Sequence, residues 1–285
     1  MKKYLLCLLL LLPAFLPTPQ AQAGRIVRDS LRSEVLGVTK FFSVYLPDAY
    51  FRNASAKFPV LYLLHGLTDD DRAWSQKGQM ERVCDELMAS GEACPMVVIM
   101  PGCGGEDTRN IWNGYFNMPG WNTEDYFFNE LLPSAEAKYR GDSQHRAIAG
   151  LSMGGGGSVG YALRHPATFS SCYAMSAWLY NDDNLQSRNR PGQEKFAALV
   201  EAVNQHNPIN FLDSASDDTH LSLRNIKWFI DCGDDDFLLE QNLMLYRALR
   251  KHRIDAQLRV RDGWHSWEYW HNALRLCLPF ASRNF

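Results

Sequence analysis

Four consecutive glycines follow a serine near the middle of the chain, in the segment HRAIAGLSMGGGGS at 145–158. Glycine loses more backbone entropy on folding than any other residue, so a glycine run at the start of a helix is poor for stability alone. The apolar residues before the serine predict a buried strand, and residues 155–164 predict a helix. The glycines therefore indicate a junction where the backbone turns tightly and approaches other parts of the molecule closely.

Short apolar segments alternate with helical patterns along most of the chain. The predicted strands are apolar runs that end near Gly, Pro or Ser, at 41–47, 58–66, 95–102, 145–152, 170–177, 226–233 and 256–263. The predicted helices lie between or after them, at 78–90, 126–139, 155–164, 238–251 and 267–280. Alternating strands and helices with continuous apolar strands are typical of a parallel sheet. We predict an α/β fold with a mainly parallel central sheet and helices on both faces.

Residues 178–225 interrupt this alternation. The segment is polar and contains one short helical pattern, near 194–205. A segment of this length inside a compact fold is often a lid or a binding loop. We expect a lid-like excursion over the strand ends and no separate domain.

The first 23 residues have the layout of a secretory signal peptide. Two lysines precede an apolar run from Leu5 to Leu16, and the small-residue site Ala21-Gln22-Ala23 follows. The apolar run is too short for a comfortable membrane span. We expect cleavage after Ala23, one catalytic domain over 24–285 without a membrane span, and a periplasmic or secreted location.

Charge and cysteine content limit the partners and the redox chemistry. The net charge is −3 and no block of basic residues is present, so the sequence gives no support for nucleic-acid binding.

Cys172 and Cys232 lie in predicted strands and are expected in the core. An exported chain meets an oxidising compartment, and Cys84, Cys94 and Cys103 are candidates for a disulfide of undefined connectivity.

The segment around Ser152 carries the strongest chemical signal. Gly150, Ser152 and Gly154 match the pattern G-x-S-x-G between a strand and a helix, which is the nucleophile elbow of the α/β-hydrolase fold. The N-terminus of the following helix favours negative charge that develops nearby. An inert serine in a glycine-rich turn is the alternative, because the pentapeptide also occurs by chance. The flanking strand and helix favour the elbow.

A serine nucleophile needs a base, and in this fold the chain order is Ser, then acid, then His. His265 follows the last predicted strand directly and precedes the last helix, so it is the predicted base. The preceding strand ends in FIDCGDDDFLL at 229–239, which offers several carboxylates. Asp236 is favoured as the acid and Asp234 is second. The acid has only to orient the imidazole and stabilise its charged form.

Backbone N–H groups should stabilise the oxyanion that forms during acyl transfer. One donor is expected from Met153, which follows the nucleophile. The other is expected from Leu67, in the loop after an early strand, LLHGLTDD at 63–70. We expect His65 in that segment to be a structural hydrogen-bonding residue and not a base. This chemistry needs no metal or organic cofactor.

Four segments resemble the esterase D-like family of α/β-hydrolases: LLHGLTDDDRAW, AGLSMGGGGS, DCGDDDFLLEQN and DGWHSWEYW. The family includes S-formylglutathione hydrolases, tributyrin esterases, and the exported feruloyl and acetyl-xylan esterases of carbohydrate esterase family 1, which are the nearest in character. The resemblance implies Ser152 as nucleophile, Asp236 as acid and His265 as base, with oxyanion amides from Leu67 and Met153. It also implies an exported serine carboxylesterase acting on acetyl or feruloyl esters of plant polysaccharides.

Other functions stay open at this point. A generalist short-chain acyl esterase, an S-formylglutathione hydrolase-like thioesterase and an acyltransferase would use the same triad. The formylglutathione branch is typically cytosolic and often has a cysteine where Asp69 stands here, and both differences count against a glutathione thioester. A non-catalytic carbohydrate-binding protein on this fold would be expected to lose a triad position.

Two aromatic segments are candidates for the substrate pocket. They are 104–126, which contains Tyr115, and the start of the excursion, which opens on Trp178. We expect substrate contacts from Tyr115 and Trp178. The sequence does not define the preferred acyl group and alcohol, or the oligomeric state.

Overall fold

The computed structural model of the chain describes residues 23–104, 114–181 and 194–285. The predicted signal peptide up to residue 22 lies outside the described residues, as do 105–113 and 182–193 of the two predicted pocket segments. Within the described part, no helix combines the length and the apolar character that crossing a bilayer requires.

The strands of the described residues form a large sheet and a small hairpin. In chain order they are β1 Arg25–Arg32, β2 Thr39–Leu46, β3 Phe58–Leu64, β4 Val97–Pro101, β5 Asn117–Met118, β6 Trp121–Asn122, β7 Gly141–Leu151, β8 Ser171–Met175, β9 Lys227–Gly233 and β10 Ala256–Arg261. The eight-stranded sheet has the order β1-β2-β4-β3-β7-β8-β9-β10, and β5 pairs with β6. Only β1 and β2 enter the large sheet through antiparallel pairings, so the predicted mainly parallel sheet is confirmed.

The helices of the described residues follow the predicted alternation. They are α1 Asp48–Arg52, α2 Ala73–Gln76, α3 Met80–Ser90, α4 Thr123–Tyr126, a π-helical turn Phe127–Leu131, α5 Leu132–Lys138, α6 Met153–Arg164, α7 Glu194–Gln205, α8 Pro208–Ser214, α9 Asp217–Leu223, α10 Leu239–Lys251 and α11 Trp267–Arg283. Each predicted helix is present, with shifted ends. The fold class predicted from the sequence is confirmed.

The excursion at 178–225 is more helical than the sequence predicted. In addition to the expected α7 it contains α8 and α9, which have seven residues each. Side-chain caps define their starts, because Asn207 accepts from the Ile209 N–H at 2.9 Å and Ser216 accepts from the Thr219 N–H at 3.2 Å. These caps stabilise helices that are too short for an apolar period to reveal.

Two cores lie on opposite faces of the sheet. Along β3, Val60, Tyr62 and Leu64 belong to one core, while Leu61 and Leu63 belong to the other. This is the period-two alternation of a strand that is buried on both sides. Side chains of α6 and α10 fill the first core, and side chains of α3 and α11 fill the second.

The candidate cysteines form no disulfide within the described residues. The six cysteines of the described residues are thiols. Cys84 packs into the core of α3 and α11, whereas Cys103 packs into the core on the other face of the sheet, so the sheet separates these two candidates. Cys172 and Cys232 are fully buried in strands, as predicted.

Candidate active site

Ser152 occupies the sharp turn between β7 and α6. Its φ of 53° and ψ of −118° lie in a region that L-residues rarely adopt. Neighbouring backbone holds this conformation: the Ser152 N–H donates to the Met175 carbonyl at 2.9 Å, and the Ser152 carbonyl accepts from the N–H groups of Gly156 and Trp178 at 3.0 and 2.9 Å. The turn lies at the carboxyl edge of the parallel strands, which is the geometry expected of a nucleophile elbow.

Close backbone contacts explain the glycine run. A Cβ atom on Gly154 would lie 2.5 Å from the His65 carbonyl oxygen, and one on Gly156 would lie 2.0 Å from the Trp178 carbonyl oxygen. No side chain larger than hydrogen fits at either distance. The run therefore lets α6 begin directly against the loops that follow β3 and β8.

His265 connects the serine to a carboxylate. Its Nε2 lies 3.0 Å from Ser152 Oγ, and its Nδ1 lies 2.9 Å from Asp236 Oδ2 and 3.1 Å from Oδ1. His265 lies in the loop between β10 and α11, and Asp236 lies in the loop after β9. An imidazole held in this way can accept the proton of the hydroxyl and return it to a leaving group.

The environment of Asp236 favours its charged form. The side chain is 0% exposed, and burial alone would raise the pKa of the carboxyl. The hydrogen bond and charge of His265 outweigh burial, together with hydrogen bonds from the Leu238 N–H and the Ser176 hydroxyl. The pKa of Asp236 is therefore lower than usual, and a fixed negative charge faces the Nδ1 side of the imidazole.

Asp234, the second candidate acid, has a different contact. Its Oδ1 accepts from the Gly263 N–H at 3.0 Å. Two backbone bonds join the same loops, from Asp234 N–H to the Arg261 carbonyl at 3.0 Å and from Asp235 N–H to the Gly263 carbonyl at 3.1 Å. Asp234 thus helps to hold the loop of Asp236 beside the loop of His265.

Two supporting residues did not stand out in the sequence. Ser176 has a φ of 45°, and its Oγ accepts from the indole N–H of Trp270 at 3.1 Å while the hydroxyl hydrogen-bonds to Asp236. The Trp270 ring lies edge-on to the His265 ring, with centroids 4.8 Å apart. Only chain position could have identified Ser176 from the sequence. It directly follows β8, and the carboxyl end of that strand lies at the same sheet edge as Ser152.

The predicted oxyanion amides belong to residues next to the elbow. A Cβ atom on Gly66 would lie 3.6 Å from Ser152 Cβ, so the loop that continues into Leu67 runs beside Ser152. Thr68 follows with a φ of 67°, in the left-handed region. Met153, which carries the other predicted donor, is the first residue of α6.

His65 has the structural role that the sequence predicted. It is 2% exposed, its Nε2 accepts from the Cys103 N–H at 3.0 Å, and its Nδ1 donates to the Gly66 carbonyl at 2.8 Å. Burial lowers the pKa of this imidazole, despite the opposing effect of the Gly66 hydrogen bond. A neutral His65 therefore fixes the loop that leads to Leu67.

Tyr115 does not lie where a substrate contact was expected. Only 1% of the residue is exposed, and its hydroxyl accepts from the His65 N–H at 3.0 Å and lies 3.2 Å from the His65 carbonyl. The hydroxyl therefore bonds the backbone of the His65 loop, and the ring packs in the core. Tyr115 therefore supports the loop that leads to Leu67 and packs against the start of α6 at Gly157.

Trp178 lies beside the elbow but is nearly buried. The residue is 8% exposed, and its ring is parallel to that of Phe196 with centroids 6.5 Å apart. Its indole nitrogen is buried and has no hydrogen-bond partner among the described residues. A substrate contact by Trp178 stays a prediction.

One group of side chains in the described part of the chain has the spacing of a metal site. Asp234, Asp235 and Asp262 bring carboxylate oxygens within 4.8 Å of one another, and all three are exposed. Exposed acidic groups of this kind are common without an ion, so the group supports no metal assignment.

Known proteins share both the sequence pattern and the fold. The profile of a family described as "Putative esterase" matches residues 33–280. A solved ferulic acid esterase is 45% identical, with a TM-score of 0.85 over 92% of this chain and 99% of that one. The endo-1,4-beta-xylanase/feruloyl esterase of Xylanibacter ruminicola is 30% identical over 168 residues, or 57% of this chain and 23% of that protein. The acetyl esterase of Caldicellulosiruptor saccharolyticus is 24% identical over 254 residues, or 83% of this chain and 89% of that protein. The chain thus spans less than a quarter of the first curated relative that it matches.

Proposed function

We propose that the chain, which belongs to this esterase family, is a serine carboxylic ester hydrolase with Ser152, His265 and Asp236 as its catalytic triad. The observation that carries the proposal is the double contact of His265, at 3.0 Å to Ser152 Oγ and 2.9 Å to Asp236 Oδ2. One imidazole therefore has a proton donor on one nitrogen and a buried carboxylate on the other. This is the arrangement that activates a serine hydroxyl.

The first half of the reaction transfers the acyl group to the enzyme. Ser152 Oγ attacks the ester carbonyl carbon while His265 Nε2 takes the hydroxyl proton. The N–H groups of Leu67 and Met153 bind the oxyanion of the tetrahedral intermediate, and Asp236 stabilises the imidazolium. The carbon–oxygen bond to the alcohol then breaks, and His265 gives its proton to the departing alkoxide.

The second half returns the serine. His265 takes a proton from water as the water oxygen attacks the acyl-enzyme carbonyl, and the same two amides bind the new oxyanion. The Ser152 ester bond breaks, and the proton on His265 returns to Oγ. The carboxylic acid leaves, and the triad regains its starting protonation state.

The proposed substrate is a feruloyl ester on a plant polysaccharide. The 45% identical structure over 92% of the chain is that of a ferulic acid esterase, which supports this acyl group. A second candidate is an acetyl ester of the same polysaccharides, and the similarity to an acetyl esterase over 83% of the chain favours it. In place of the cysteine of the formylglutathione branch, Asp69 pairs with Lys77 Nζ at 2.5 Å, which counts against a glutathione thioester.

We also propose that the enzyme is exported, with cleavage after Ala23 and a single catalytic domain over 24–285. The support is the lysine, apolar and Ala-Gln-Ala layout of the first 23 residues. Sequencing the N-terminus of the protein recovered outside the cytoplasm tests it. Gly24 is the expected first residue, and an intact N-terminus on that protein would contradict the cleavage.

Hydrolysis of a matched ester panel tests the proposed activity. Every strand and helix of the described residues begins at Arg25 or later, so residues 24–285 retain the whole sheet. Acid release would be measured with feruloylated arabinoxylan oligosaccharide, methyl ferulate, acetylated xylan, an aryl acetate and S-formylglutathione. The ferulate esters should give the highest kcat/KM, and Ser152→Ala should lower it by about 10⁴-fold or more.

Each of the other outcomes would assign a different substrate or function. Highest activity on acetylated xylan would replace the feruloyl group with the acetyl group. Activity on the aryl acetate alone would indicate a generalist esterase, and preference for S-formylglutathione would indicate the thioesterase. Full activity in a folded Ser152→Ala variant would contradict the mechanism.

A further inference from the structure

Two aromatic side chains beside the triad lie in solvent. Phe237 follows Asp236, Trp264 precedes His265, and each is 68% exposed. No other large apolar side chain of the described residues is as exposed as these two. The Phe237 ring lies 4.6 Å from the His265 ring, measured between centroids. Exposed aromatic groups next to a reactive centre indicate a binding surface.

The chemistry of His265 shows which half of a substrate these rings border. His265 Nε2 must deliver a proton to the oxygen of the departing alcohol, so that alcohol lies on the His265 side of Ser152. Phe237 lies in the loop at 233–238 with its ring against the His265 ring, and Trp264 lies in the loop at 262–266 directly before His265. The rings therefore border the alcohol half of the ester.

The charge of the same loops restricts the kind of alcohol. Asp234, Asp235 and Asp262 are exposed there, with carboxylate oxygens within 4.8 Å of one another. Their field opposes an anionic leaving group such as glutathione, and their oxygens can accept hydrogen bonds from hydroxyl groups. Aromatic faces carry partial negative charge and attract the polarised C–H groups on the flat side of a sugar ring.

We infer that Phe237 and Trp264 form a sugar-binding rim, which packs against the sugar ring esterified to the acyl group. The inference rests on the proposed function and adds a recognition site for the alcohol half. The rim favours esters of neutral sugars over simple alkyl esters of the same acid.

The test compares two esters that share one acyl group. For wild type, Trp264→Ala and Phe237→Ala, kcat/KM is measured with a feruloylated arabinoxylan oligosaccharide and with methyl ferulate. The ratio of the two values should fall about tenfold in each variant, the size of a lost aromatic contact of about 1.4 kcal/mol. Leu221→Ala is the matched control, because Leu221 is 60% exposed on α9, outside the triad loops, and should leave the ratio unchanged.

The ratio separates recognition from effects on His265. An equal loss on both esters in both variants would overturn the inference and leave the rings as supports of the imidazole. A wild type with no preference for the sugar ester would also overturn it, while Ser152-dependent hydrolysis of methyl ferulate would keep the proposed function. If neither ester is hydrolysed, the proposed function fails as well. Circular dichroism of each variant verifies folding, and Trp264→Leu provides a second, apolar substitution at Trp264.

An independent observation lies at the start of the proposed mature chain. The Gly24 N–H donates to Asp85 Oδ1 at 2.7 Å, and the Tyr45 hydroxyl donates to the same oxygen at 2.7 Å. A Cβ atom on Gly24 would lie 2.4 Å from the Tyr45 ring, so the site accepts glycine and no larger residue without a shift. A cavity of about 240 Å³ adjoins these groups and is lined in part by Ala23, Tyr45 and Asp85.

We propose that Asp85 and Tyr45 form a binding site for the α-ammonium group that cleavage after Ala23 creates. This proposal rests on the proposed export. Cleavage hydrolyses the Ala23–Gly24 peptide bond and turns a neutral N–H donor into a cation beside a carboxylate. Hydrogen bonds between charged partners are about twice as strong as neutral ones, and the adjoining cavity leaves room to hydrate the remaining hydrogens. Processing thereby stabilises the folded enzyme.

Unfolding temperatures of four proteins test this site. Two chains are prepared, one beginning at Gly24 and one at Ala23, and each is made both with the native Asp85 and with the substitution Asp85→Asn. The substitution should lower the unfolding temperature by about 2–4 °C more in the chain beginning at Gly24, since only that chain carries the ammonium on the nitrogen that bonds Asp85 Oδ1. An equal loss in both chains would overturn the proposal. Asp48→Asn, in the same cavity lining, is the control and should affect both chains equally. A different first residue on the exported protein would instead overturn the proposed cleavage.

Discussion

The loops that carry His65 and His265 both follow strands of the central sheet and both reach Ser152, yet they hold their imidazoles in opposite ways. His65 bonds only to backbone atoms in the contacts described above, the Cys103 N–H and the Gly66 carbonyl. His265 bonds to a carboxylate and a hydroxyl. Both loops lie close to Ser152, so the carboxylate partner is what distinguishes the proposed base, His265, from the structural His65.

The difference has a simple electrostatic cause. A buried imidazole without a carboxylate resists protonation, and burial lowers the pKa of His65. Asp236 keeps its charge despite burial and lies against His265 Nδ1, so in the proposed mechanism it stabilises the imidazolium that forms during proton transfer. In the proposed mechanism the His65 loop therefore supports the geometry of the site, and the His265 loop carries out proton transfer.

The largest expected effect comes from removing the base. His265→Gln should lower kcat for methyl ferulate by about 10⁶-fold, because serine and histidine of a triad act as one unit. Steady-state kinetics at saturating substrate measure the change. If His265→Gln kept a rate within tenfold of wild type, the base would lie elsewhere and the contrast between the loops would fail.

The next effect comes from the carboxylate. Asp236→Asn should lower kcat by about 10⁴-fold, because the amide cannot stabilise the imidazolium and favours the wrong tautomer. Asp234→Asn is the matched control two residues away, because it removes a charge while its amide oxygen can still accept from the Gly263 N–H. A larger kcat loss in Asp234→Asn than in Asp236→Asn would assign the acid to Asp234.

Substitution of the supporting histidine, His65, should lower kcat less than substitution of the triad residues. His65→Gln cannot make both backbone contacts in the imidazole geometry, so the Leu67 amide shifts relative to the oxyanion. We expect a fall in kcat of about 10- to 100-fold with a smaller change in KM, the size seen for slight misplacement of a catalytic group. A loss as large as that of His265→Gln would mean that His65 takes part in proton transfer.

The smallest effect concerns pH and stability. Because burial lowers the pKa of His65, the unfolded chain binds a proton at higher pH than the folded chain. The free energy of unfolding therefore falls as the pH drops below about 6.5, the ordinary value for histidine. Between pH 7 and pH 5 the unfolding temperature of His65→Gln should fall less than that of wild type, by a few degrees. Parallel curves for the two proteins would show that His65 is not held neutral.

The sequence predicts the parts of the site that depend on local order. Ser152 lies in a five-residue pattern and His265 directly follows an apolar strand, so spacing along the chain identifies both. The acid was harder to predict from the sequence, because Asp234, Asp235 and Asp236 are adjacent. Only the turn after β9 decides which of them faces the imidazole. In the structure Asp236 contacts His265 and Asp234 contacts a backbone N–H.

Features that depend on packing were less predictable. Tyr115 lies in an aromatic polar segment that suggests a pocket, but its burial depends on the fold of the residues around His65. Strand β1, RIVRDSLR, was not predicted, because it is an edge strand with exposed charged residues and has no continuous apolar run. Ser176 shows no motif, and only the sheet order brings it next to Asp236.

Covalent labelling with a fluorophosphonate tests the central claim most directly. The probe reacts with an activated serine, and mass spectrometry of digested protein locates the adduct. We predict one adduct, on Ser152, that forms in wild type and in His65→Gln and is lost in His265→Gln. An adduct on another serine, or equal labelling of Ser152 in His265→Gln, would contradict the assignment of Ser152 and His265 as nucleophile and base.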